Sequence, residues 1–118
     1  MHMIDWDNYR QQVISGVSGI AKLSPDTVKG YAQLGQAGSS TNGLNGKIRE
    51  LIALAVAVSL RCDGCIAVHT AAAHKHGATR EEIAEALGVA ISVNAGAALV
   101  YSTRTMDAFS AVEENASL

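Results

Sequence analysis

The chain is 118 residues long, 48% hydrophobic and 17% charged, which is the size and composition of a single domain able to bury a core. Nine Lys and Arg stand against eleven Asp and Glu with no basic cluster, so the electrostatic footprint of a nucleic-acid binder is absent. Met1 to Asp5 turns acidic and polar at once, unlike a secretory signal, and the longest uninterrupted apolar run, Leu51 to Val58, falls short of the roughly 18 residues a membrane span needs. A cytoplasmic protein without membrane contact is expected.

A single proline, 4% aromatic residues and recurrent alanine favour helix over sheet, and the chain reads as all-α, about six helices in one domain spanning residues 1–118. A first helix is predicted from Asp5 or Asp7 to about Ile20, with Trp6, Tyr9, Val13 and Val17 at helical spacing. Ser24 before Pro25 has the form of an N-cap followed by proline at the first helical position, opening a second helix that carries Val28, Tyr31 and Leu34. The stretch from Gly38 to Gly43 breaks the pattern and separates an N-terminal arm, residues 1–42, from a core, residues 43–112.

Asn45 is suited to cap a third helix from Gly46 to Leu60, apolar almost all round. A fourth starts near Cys62 and ends at Gly77, a residue that accepts the left-handed conformation of a helix terminus. Thr79 and Glu82 form a capping box for a fifth helix, with Ile83, Ala84, Leu87, Ala90 and Ile91 on one face. A break at Asn94-Ala95-Gly96 is expected to separate it from a sixth, bearing Leu99, Met106, Phe109 and Val112, with a tail that frays after Glu113. So apolar a third helix needs more cover than its neighbours supply, which points to a homo-oligomer.

Cys62 and Cys65 carry the chemical signal. With cytosolic reductants keeping ordinary thiols reduced, a C-x-x-C spacing is that of a redox-active dithiol rather than a structural bridge. If the third and fourth helices form an antiparallel hairpin, Glu50 and His69 are symmetric about its turn. Cys62, Cys65 and His69 follow one another at i+3 and i+4 along one face. An unperturbed thiol, with a pKa of about 8.5, is only slightly ionised at neutral pH. The helix N-terminus favours the thiolate, His69 can take the proton, and Glu50 can orient His69. Oxidation of one sulfur to sulfenic acid lets the other close a disulfide, which a second dithiol must reduce.

Proximity to His69 favours Cys65 as the sulfur that meets peroxide, whereas exposure near the turn favours Cys62 for exchange with a reductant; both roles fit one cycle. Zinc is the competing reading of C-x-x-C-x3-H, but a closed site wants four ligands and only Glu50 is left to serve as the fourth. The expected cycle uses no metal and no cofactor. His74 and His76 suit a helix C-terminus, and Arg49, Arg61 and Arg80 are expected to face solvent.

Glu50, Cys62, Cys65 and His69 together reproduce E-x11-C-x-x-C-x3-H, and the residues around them, Lys47 to Ala55 and Gly77 to Leu87, are similar as well. From about Gly43 to Phe109 the chain resembles the AhpD-like alkylhydroperoxidase branch of the carboxymuconolactone decarboxylase family. The resemblance implies an all-helical fold, obligate trimers or hexamers, antioxidant alkylhydroperoxidase activity with these four residues as a proton relay, and reduction by a lipoylated or thioredoxin-like dithiol protein. One position departs from the better-known relay, which has a histidine directly before the second cysteine where this chain has Gly64. The decarboxylases proper lack the cysteine pair, so decarboxylation of a lactone is the weaker expectation. A redox sensor or oligomeric scaffold that oxidises once without turnover is the alternative to an enzyme.

Overall fold

The computed structural model describes residues 1–116. Those residues form five helices: α1 (Trp6–Leu23), α2 (Pro25–Thr41), α3 (Gly46–Leu60), α4 (Asp63–Lys75) and α5 (Arg80–Ala116). The chain is all-α, as its composition predicts, and most ends carry the expected polar punctuation. The Asp5 carboxylate accepts from the Asn8 N–H at 3.2 Å, and the Asn45 side chain accepts from the Ile48 N–H at 2.9 Å. Both bonds of the Thr79/Glu82 capping box form, at 2.9 and 3.1 Å. Gly77, at φ +82°, turns the chain after α4.

Two expectations are corrected. The predicted break at Asn94-Ala95-Gly96 is absent, and the expected fifth and sixth helices are one 37-residue helix that stays helical beyond Glu113. Asn94 does not compete with the helix, because its amide donates to the Ala90 carbonyl one turn back and to the Ser59 hydroxyl on α3, each at 2.7 Å. The loop expected from Gly38 is also shorter. Ser39 and Thr41 donate to the Gln36 and Gly38 carbonyls within α2, and the helix ends only at Asn42, whose φ of 51° is left-handed.

α3 is the central element, packed against α4 on one side and α5 on the other, while α1 packs on α4 and α2 on α1. Among the described residues only Leu54, Ala57, Ala67, Ala73 and Ala90 are fully buried. Four of these five are alanines, so the helices approach closely without large interlocking side chains. Arg10 ties α1 to α4 through a 2.8 Å bond from its Nε to the Ala67 carbonyl. Lys47 and Glu82 join the starts of α3 and α5 at 2.8 Å.

The protomer is elongated. Its radius of gyration is 19.9 Å, against about 13.5 Å for a compact domain of this length. It exposes 9313 Å², whereas a compact monomer of this mass exposes roughly 6,100 Å². Most of α5 is left out of the packed unit, and every residue from 97 to 116 is exposed.

Candidate functional site

The site forms at the α3–α4 turn. α3 ends at Arg61, whose φ of 53° reverses the chain, and Cys62 becomes the N-cap of α4. Its sulfur accepts the Cys65 backbone N–H at 3.2 Å, occupying the place that a serine or aspartate oxygen takes at other helix starts. Cys62 and Cys65 are joined as a disulfide, with Cα atoms 5.3 Å apart. When the pair is reduced, a thiolate at Cys62 faces the partial positive charge and free N–H groups of the first turn.

The antiparallel hairpin brings Glu50 level with His69. Glu50 Oε2 and His69 Nδ1 are 2.7 Å apart, both side chains being largely covered, at 20% and 30% exposure. A carboxylate only accepts, so Nδ1 carries the proton and Nε2 of the neutral ring is left as a base. His69 lies one helical turn beyond Cys65 and lines the same groove as both sulfurs.

That groove holds about 380 Å³ between α4 and the α1–α2 hairpin. Val13, Ile14 and Val17 from α1, with Tyr31 from α2, face Cys62, Cys65 and Val68 across it. Its walls are mainly aliphatic, with Ser18, Tyr31 and His69 among the residues that line it. Gly64 forms part of the α4 wall; a Cβ there would lie 3.5 Å from Val13, and a longer side chain would press on α1. The structure thus joins the four sequence-predicted residues as two pairs, Glu50 with His69 and Cys62 with Cys65, and brings His69 and both cysteines to one groove. Among the described residues no group of three or more His, Cys, Asp or Glu side chains converges to hold a metal ion.

Other residues were not legible as site components. The helical spacing of Val13 and Val17 marked an apolar face but not its target, and nothing local pointed Tyr31 at the cysteines. Arg49 is corrected outright: it does not face solvent but donates to the Gly38 and Leu44 carbonyls, holding the end of α2 and the following loop against α3 beside Glu50. Arg61 and Arg80 are exposed, as are His74 and His76 near the end of α4.

A two-helix hairpin with a dithiol at its turn and a paired Glu and His beneath defines the class of protein, a helical dithiol domain. The family follows from comparison: the model of the carboxymuconolactone decarboxylase family matches residues 25–114, and the chain belongs to that family. An uncharacterized protein of Haemophilus influenzae is 44% identical over 106 residues, covering 90% of this chain and 94% of that protein. One from Cupriavidus necator is 31% identical over 93 residues, covering 79% and 82%. The crystal structure of a carboxymuconolactone decarboxylase family protein from Legionella pneumophila is similar, with a TM-score of 0.71 and 34% identity over 83% of this chain and 88% of that one.

Proposed function

We propose that the protein is a thiol-dependent reductase of hydroperoxides or disulfides that cycles Cys62 and Cys65 between dithiol and disulfide. The observation that carries this reading is the 2.7 Å pairing of Glu50 with His69 one turn from a disulfide-bonded C-x-x-C. In the first step His69 takes the Cys65 proton, and the thiolate attacks the outer oxygen of a hydroperoxide. The O–O bond breaks, Cys65 becomes the sulfenic acid, and the departing alkoxide takes the proton back from His69 as the alcohol. Cys62 thiolate then attacks the Cys65 sulfur, expelling hydroxide that is protonated to water, and the disulfide closes.

Regeneration takes two thiols from a lipoylated or thioredoxin-like protein. One attacks Cys62, releasing Cys65 as a thiol; the other attacks the mixed disulfide, releasing Cys62 and leaving the donor oxidised. Cys62 suits this exchange because its thiolate is supported by the first turn of α4. Glu50 acts on His69 alone, fixing its tautomer and stabilising the imidazolium that forms. The aliphatic walls of the groove favour an alkyl-bearing substrate over a charged one.

The test is turnover. With an alkyl hydroperoxide and a dithiol donor, the wild type is expected to consume peroxide over many cycles and Cys65→Ser to stop after none. A single oxidation without turnover would make the protein a sensor. Activity on a carboxylated lactone that survives loss of both cysteines would make it a decarboxylase.

A further inference from the structure

We propose that Gly64 and Val13 set the size of the molecule that reaches Cys65. The groove they flank then admits an uncharged organic hydroperoxide of about a dozen non-hydrogen atoms, the number that about 380 Å³ allows at the roughly 30 Å³ of a liquid water. The hydroperoxide rests on the thiol chemistry proposed above, whereas the size limit rests on the groove itself.

Gly64 is the second residue of α4 and stands between the two cysteines, half-buried in the groove wall. Glycine is a poor helix residue, so its place here calls for a reason. Backbone conformation does not supply one, because Gly64 is outside the left-handed region that Gly77 occupies. Close packing does not supply one either. A Cβ at position 64 would meet Val13 Cγ2 at 3.5 Å and Cγ1 at 3.7 Å, which are ordinary van der Waals contacts. What the missing side chain leaves is space, beside the sulfurs and opposite α1. Both atoms within reach of that Cβ belong to Val13, which makes this half-buried valine the opposing jaw.

The rest of the groove fixes the kind of molecule. Among the described residues no carboxylate, lysine or arginine lines it, so a charged substrate would lose its water there without gaining a partner. A neutral organic group meets Val13, Val17, Val68 and the Tyr31 side chain instead. With the outer oxygen of a hydroperoxide at Cys65, its organic group takes the gap between Gly64 and Val13. Hydrogen peroxide has no such group and needs no gap. Narrowing the gap therefore separates the two substrates.

The test compares a small and a large peroxide on the same reduced protein. Loss of thiols is followed by stopped flow, with hydrogen peroxide and with cumene hydroperoxide, in the wild type, Gly64→Ala, Gly64→Leu, and Gly64→Leu combined with Val13→Ala. Gly64→Leu is expected to lower the ratio of the cumene hydroperoxide rate to the hydrogen peroxide rate by about tenfold or more. Gly64→Ala should lower it less, and Val13→Ala should return most of what leucine removes. Alanine adds only the Cβ that the structure accommodates and is the better helix residue, so Gly64→Ala stays readable where leucine unseats α1. An equal loss with both peroxides would mark a merely structural effect and overturn the proposal, as would an unchanged ratio or a Val13→Ala that restores nothing. Access is also read without peroxide. In a Cys62→Ser background, where serine is an ordinary helix cap, Cys65 is alkylated by iodoacetamide or by N-phenylmaleimide, and the Gly64 substitutions should slow the aryl reagent selectively. Thiols that survive both peroxides while alkylation remains size-selective would remove the hydroperoxide as occupant and uphold the size limit. Oxidation by both peroxides at an unaltered ratio would overturn the size limit and leave the thiol chemistry standing.

Discussion

At the scale of single residues, Glu50 is the position where charge can be separated from shape. Glu50→Gln keeps the volume and a bond to His69 Nδ1 but removes the negative charge that supports the imidazolium. Oxidation of the reduced protein by an alkyl hydroperoxide, followed by stopped flow, is expected to slow on the order of tenfold, and by roughly a hundredfold in His69→Ala, which loses the base itself. Packing gives a second prediction. Ala67 is wholly buried where Arg10 of α1 reaches its carbonyl, so Ala67→Leu should destabilise by about 1–3 kcal/mol in urea titration through overpacking. The Glu50–His69 pairing was legible in the sequence because counting outward from a short helical turn predicts which positions lie level. Arg10 was not, because its acceptor is a backbone carbonyl 57 residues away. Nor was Arg49, because a long side chain's choice among nearby carbonyls leaves no periodic trace.

Among the elements, the caps were the most readable features, since each is a local contest between side chain and backbone for the same N–H. Thr79→Ala removes one of the two reciprocal bonds at the start of α5 and should cost about 1 kcal/mol. Glu82, the other half of that box, has its carboxyl held below the ordinary value of 4.5 by the hydrogen bond from Lys47 and by the Thr79 N–H. A lowered folded-state value means this stabilisation is present at neutral pH and is lost as pH falls below about 4.5 through the folded value. Thermal midpoints measured across that window should fall less steeply for Lys47→Met than for the wild type. The break misread at Asn94 shows where local rules fail. Asn and Gly are ordinary loop signals, but here Asn94 bonds across to Ser59 on another helix, and tertiary contact outweighs local preference.

For the whole molecule, the legible part was the packed hairpin and the illegible part was its extent. The apolar character of α3 announced a shortage of cover, but no periodicity in one chain could reveal that α5 runs on, exposed, for twenty residues beyond the packed unit. Few side chains are buried in the protomer, and the expectation of a homo-oligomer is checked by melting at several protein concentrations, with a melting temperature that rises with concentration as the expected outcome. The α1–α2 hairpin roofs the dithiol, and Arg10 and Arg49 hold that roof in place. The chemistry proposed beneath it has one direct measurement. Fully reduced protein is treated with an equivalent of alkyl hydroperoxide, and intact mass and free thiols are followed together. The expected result is loss of two hydrogens and of both thiols in one phase, with peptide mapping to a Cys62–Cys65 disulfide. Thiols that survive the peroxide would contradict the account, as would a stable oxygen adduct on one cysteine with the other untouched.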